Sequence, residues 1–194
     1  MGITTCIQYA LERLGLDVPG VEDLLWCIGP PLQESFAKLA GEEKATAAVE
    51  LYRERFSSVG WLENQPYGGI SETLGHLVDS GINLHVATSK PLIFAQQILD
   101  HFELSRHFDC VFGAELDGTL SYKGELLSHA LYHTGFPASA SMVGDRKHDM
   151  IGATSNGIAG VGVTYGYGSL DELLKAGASH TVSRHQDLLS YFIR

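Results

Sequence analysis

Met142-Val143-Gly144-Asp145-Arg146-Lys147-His148-Asp149 is the stretch whose reading decides the fold. The apolar run Ser141-Met142-Val143 predicts a buried strand, and Gly144 permits a tight exit from it. Asp145 then projects from the strand's carboxyl end, and the four-residue spacing brings Asp149 round one helical turn. Two carboxylates so placed suit a hard divalent cation. The carboxyl ends of parallel strands are also where ligands of open α/β sheets bind.

Outward from this point, short apolar runs alternate with helical patterns. Helix Ile70 to Asp79 leads to strand Leu84 to Ala87, helix Pro91 to Phe102, strand Cys110 to Phe112, helix Gly124 to His133 and strand Ser141 to Val143. Helix Asp149 to Ser155 and strand Gly160 to Val163 follow. Last come a helix opened by Ser169 with Glu172 as a capping box, strand His180 to Val182 and helix Gln186 to Phe192. Such alternation predicts an α/β fold with a parallel sheet and helices on both faces. The first 60 or so residues differ, because they read as helix alone: Ile3 to Leu14, Val21 to Ile28, Leu32 to Leu39, and a fourth helix from Gly41 towards Phe56. Turn residues between Ser57 and Gly69 predict a junction, giving a helical domain over 1–65 and an α/β domain over 66–194.

Composition limits the function. The 194 residues, 44% of them hydrophobic, suffice for one cored domain with a modest insertion. A net charge of -10 would repel a nucleic-acid backbone or an anionic membrane, so neither is expected as a partner, and an anionic ligand needs local positive charge. Cys6, Cys27 and Cys110 are odd in number and far apart, which points to free thiols in a reducing compartment. No apolar run has membrane-spanning length and the first residues lack a signal-peptide pattern, so the expected location is cytoplasmic.

Two further segments fall at strand ends. Thr88-Ser89-Lys90-Pro91 puts hydroxyls and turn amides before a helix, a cradle suited to phosphate oxygens, although such a turn is more often a simple cap. Lys123 starts a helix, where a cation opposes the helix dipole unless it has another task. His129 and His133 have metal-ligand spacing but no third ligand nearby, and read as a helical surface pair.

In chain order, Thr88-Ser89-Lys90, then Lys123, then Gly144-Asp145 to Asp149 resembles the second, third and fourth motifs of the haloacid dehalogenase superfamily of phosphatases. The resemblance implies a Rossmann-like three-layer core with residues 1–65 as a helical cap. It also implies magnesium-dependent hydrolysis of a small phosphorylated metabolite. Leu116-Asp117-Gly118-Thr119 and Gly166-Tyr167-Gly168-Ser169 resemble the phosphoglycolate phosphatase branch most. In the implied site Thr88 and the backbone at Ser89 hold the phosphoryl group, Lys123 neutralises its oxygens, Asp145 ligates Mg2+, and Asp149 supports the metal through water or the turn backbone.

The family's first motif, Asp-x-Asp-Gly-Thr on the first core strand, supplies the nucleophile that becomes an aspartyl phosphate and the general acid and base. Ahead of the cap this sequence has no such segment; Ile3 to Leu11 already reads as cap helix. Glu115-Leu116-Asp117-Gly118-Thr119 imitates the motif but lies between the second and third motifs and precedes no cap. The expectations are therefore a core short of its first strand, an N-terminus truncated relative to the natural protein, and little turnover by the chain as given. A phosphomutase of the same fold and a non-catalytic phosphate- and metal-binding pseudoenzyme remain alternatives.

Overall fold

The structure, a computed structural model, describes residues 2–137 and 139–193. It divides into two compact units, Met1–Gln65 and Pro66–Arg194.

The first unit packs helices α1 (Gly2–Arg13), α2 (Leu32–Ala40) and α3 (Glu42–Ser58). Their inward stripes bury Cys6, Ile7, Ala10, Leu11, Phe36, Ala45 and Phe56. Tyr52 stacks on Phe56 and meets Phe36 edge-on. Arg55 forks onto both oxygens of Glu63 at 2.9 and 2.7 Å, tying α3 to the short 3-10 turn Gly60–Glu63. The helix expected over Val21 to Ile28 is instead a six-residue 3-10 segment, Glu22–Cys27. The Gly29-Pro30-Pro31 run that follows leaves no length for an α-helix to propagate.

The second unit alternates α4 (Ile70–Asp79), β1 (His85–Pro91), α5 (Leu92–His101), β2 (Cys110–Ala114), α6 (Lys123–His133), β3 (Ser141–Gly144), α7 (Lys147–Ser155), β4 (Ala159–Val163), α8 (Leu170–Lys175), β5 (His180–Val182) and α9 (Asp187–Phe192). Every strand pairing is parallel, as the crossover helices require. The alternation does not, however, close into one sheet. Among the described residues β1 pairs with β2 alone, while β3, β4 and β5 form a separate three-stranded sheet in that order.

β4 is the covered strand: Gly160 to Val163 are buried, and Val161 and Val163 share a core with Val182 and Leu188. β1 and β3 contain no fully buried residue. Interior strands of parallel sheets are normally covered on both faces, so β1 and β3 have the burial of edges. Helix α6 joins the two sheets by packing on β1, β2 and α7, while α7 packs on β3 and β4.

The segment Thr88 to Pro91 is a correction to the turn expected there. It continues β1, with Thr88 opposite Gly113 and Pro91 opposite Ala114 across a register irregularity. Gly113 allows the close approach, since a Cβ at that position would meet the backbone of Lys90 and Leu92. Among the described residues no helix is long and apolar enough to cross a membrane.

Candidate active site

Lys123 links β1 to the first turn of α7. Being first in α6, it is held by a helix packed on β1, β2 and α7, and its Nζ donates to the carbonyl of Ala87 at 2.8 Å. The same ammonium pairs with Asp149 Oδ1 at 3.0 Å, with both side chains about one-tenth exposed. Thr88 follows Ala87 directly, and its Oγ1 accepts from the amide of Lys90 at 3.2 Å, leaving the hydroxyl proton free to donate. Thr88, Lys123 and Asp149 are thus gathered around one buried cation, and Ser89 lies beside Thr88 on the irregular part of β1.

Asp149 is fully engaged. Its Oδ2 accepts from the amide of Arg146 at 3.0 Å, closing the turn at the start of α7, while Oδ1 faces Lys123. Gly144 is required by this turn, because a Cβ there would overlap the Asp149 carboxyl.

Asp145 is held by a different segment. Its Oδ2 accepts from the amide of Tyr167 at 2.8 Å and its backbone carbonyl from the amide of Gly168 at 2.9 Å. Gly166 and Gly168 pack so closely on Asp145 that neither position has space for a Cβ. Burial pushes the Asp145 carboxyl above the ordinary carboxylate range; the Tyr167 amide opposes the shift and the Asp149 charge adds to it. A carboxylate penalised in this way gains from a bound cation, so Asp145 fits a divalent metal. The described residues contain no group of three His, Cys, Asp or Glu able to hold a metal.

Glu172 completes the turn and was not singled out as a site residue by the sequence. Ser169 Oγ caps α8 by accepting from the Glu172 amide at 3.1 Å, but the Glu172 carboxylate does not reach back to complete a capping box. Its Oε1 instead accepts from the Lys147 amide at 2.8 Å and from Arg146 Nε at 3.0 Å. Burial raises its pKa, yet the Lys147 amide and the Arg146 guanidinium outweigh burial and hold the carboxyl below its ordinary value.

Two sequence candidates lie elsewhere. The Asp117 carboxylate accepts from the amide of its own neighbour Thr119 at 2.8 Å, inside a turn closed by Glu115 N to Thr119 O. It is spent on that turn, and the Thr119 backbone bond lowers its pKa. His129 and His133 stand with ring centroids 4.4 Å apart on an exposed face of α6, beside Phe112.

Parallel strands alternating with helices, as here, define an α/β protein of the Rossmann-like class. Residues 1–163 match the model of haloacid dehalogenase-like hydrolases. The chain belongs to that family and is a phosphatase by membership. It is 48% identical over 182 residues to a 5'-nucleotidase of Pseudomonas aeruginosa, covering 92% of this chain and 82% of that protein. It is 38% identical to the tyrosine-protein kinase PtkA of Mycobacterium tuberculosis over 95% of this chain, and spans only 63% of that relative's length. The crystal structure of a predicted phosphatase from Clostridium acetobutylicum superposes with a TM-score of 0.92 at 41% identity, covering 97% of this chain and 91% of that one. These matches establish the three-layer α/β fold as well as the family.

Proposed function

We propose that this protein hydrolyses a small phosphomonoester with Mg2+, and that a nucleoside monophosphate is the first substrate to test. The observation that carries the reading is Lys123, whose ammonium bridges the Ala87 carbonyl on β1, next to Thr88, and the Asp149 carboxylate in the first turn of α7. A fixed positive charge at that point is what three anionic phosphoryl oxygens require as they transfer. Thr88 and the Ser89 backbone bind those oxygens, Asp145 ligates the metal, and Asp149 acts on the metal only indirectly, because both of its oxygens already have protein partners. A Mg2+ held by Asp145 would supply positive charge against the phosphoryl oxygens. The nucleoside monophosphate comes ahead of the phosphoglycolate expected from local motifs because similarity to the Pseudomonas 5'-nucleotidase runs over 92% of this chain.

The attacking carboxylate is the remaining requirement. None of the placed candidates supplies it: Asp149 is paired with Lys123, and Asp117 is spent on its own turn. The under-covered strands β1 and β3 support a parallel strand between them ending in Asp-x-Asp-Gly-Thr, as the family resemblance implies.

The test is phosphate release from a panel of nucleoside monophosphates and phosphoglycolate with Mg2+, using the chain alone and the chain extended at its N-terminus by such a strand. Mg2+-dependent release is expected, with higher turnover in the extended form. Turnover by the chain alone that survives Glu115→Gln with Asp117→Asn would refute the account of the nucleophile.

A further inference from the structure

The loop that grips Asp145 is itself held from the far end of the sequence. Tyr67, on the stretch leading into α4, donates its hydroxyl to the carbonyl of Tyr165 at 3.2 Å, 98 residues away, and the two rings meet edge-on at 5.0 Å. Tyr165 immediately precedes Gly166-Tyr167-Gly168, the segment whose amides hold Asp145.

The stretch that carries Tyr67 is pinned in turn by His185. This buried ring uses both nitrogens, with Nε2 at 2.9 Å from the carbonyl of Gly68 and Nδ1 at 2.8 Å from Thr73 Oγ1. A carbonyl can only accept, so Nε2 carries a proton, and in the neutral ring Nδ1 accepts from the threonine. The Tyr165 ring packs on the same imidazole with centroids 6.3 Å apart. Tyr67 and Tyr165 both feel the Asp145 carboxylate: burial pushes the Tyr165 phenol up to about 12, with Tyr67 and Asp145 adding, and burial with Asp145 and Tyr167 raises Tyr67.

We propose that Tyr67 is a positioning residue for the Asp145 carboxylate, its hydroxyl fixing the carbonyl of Tyr165 and so the 166–168 loop that donates to Asp145. The bond contributes nothing to phosphoryl contact; it sets where a metal ligand stands. The inference rests on the reading of Asp145 as a cation ligand and extends it to a residue outside the recognised motifs. Deviations in ligand placement well below 1 Å matter at such sites, so a brace on the loop should register in cation affinity.

Tyr67→Phe removes the hydroxyl and keeps the ring. Hydrogen exchange at single amides should show Tyr167 and Gly168 exchanging about 3- to 10-fold faster in Tyr67→Phe, with Val161 and Val163 on β4 unchanged. Mn2+ binding, followed by electron paramagnetic resonance, should weaken by a similar factor while Tm moves by no more than about 2 °C. A role confined to general stability would lower Tm and speed all core amides together. Wild-type exchange at Tyr167 and Gly168 in Tyr67→Phe overturns the proposal. Loosened amides together with Mn2+ binding that Asp145→Asn leaves untouched support the brace and sink the cation reading of Asp145 instead.

Discussion

The two sheets of the α/β unit are built from similar parallel strands, yet only one is covered as such strands usually are. β4 lies between β3 and β5 and buries four of its five residues, whereas β1, with β2 alone as neighbour, buries none. Burial in this unit thus follows strand position more than strand composition. Val161 and Val86 are the same residue type in the same class of parallel strand, but the first is fully buried and the second half-exposed. The least covered strands, β1 and β3, are also the two whose carboxyl ends carry the site.

The largest effect should come from Lys123, the connection between the sheets. Lys123→Ala leaves Asp149 buried without its counter-charge, and urea denaturation should show a loss of about 3–5 kcal/mol. A double-mutant cycle with Asp149→Asn should recover much of that loss. A loss below about 1 kcal/mol would mean that the sheets are held together elsewhere.

Next, Val161→Ala should cost about 2–3 kcal/mol through its cavity, and Val86→Ala less than about 1 kcal/mol. Equal losses from the same deletion would erase the distinction between the sheets.

Glu172→Gln should cost about 1 kcal/mol near neutral pH, because it weakens two charge-assisted bonds to the turn after β3. The folded-state pKa of Glu172 is lowered, so its contribution is present above the unfolded carboxyl value and lost as pH falls through the folded one. Stability curves of wild type and Glu172→Gln should therefore converge in acid.

Asp145 gives the smallest effect and the opposite sign. Its pKa is raised, so its favourable contribution exists only below the unfolded value and is lost as pH rises through the folded one. In chelator at pH 7, Asp145→Asn should melt slightly higher than wild type, and added Mg2+ should narrow the difference by stabilising wild type alone. A lower melting temperature for the variant in chelator would remove the electrostatic penalty assigned to this carboxylate.

Much of this architecture was legible in the sequence because it depends on neighbours along the chain. The order of helices and strands follows local periodicity, and Gly144-Asp145 with Asp149 follows from one strand exit and one helical turn. Lys123 opens α6, as its place in the sequence led one to expect. Long-range features were not legible. Glu172 matched a capping box three residues from Ser169, but Arg146 and the Lys147 amide, 26 and 25 residues away, took its carboxylate. Thr88 to Pro91 has the composition of a turn, and only its pairing with Gly113 and Ala114 keeps it in the strand. Family resemblance assigned Lys123 to the transition state alone, while its bonds to Ala87 and Asp149 add a structural task that no motif spells out.

The glycines against the acidic residues alter how tolerance to change is distributed over this site. An aspartate has near substitutes, since asparagine keeps its shape and glutamate its charge. Gly144, Gly166 and Gly168 have none, because even one added methyl group would overlap Asp149 or Asp145. In a saturation library scored for function, these three positions should therefore be the most intolerant of the region, and an inventory of charged side chains alone would miss them.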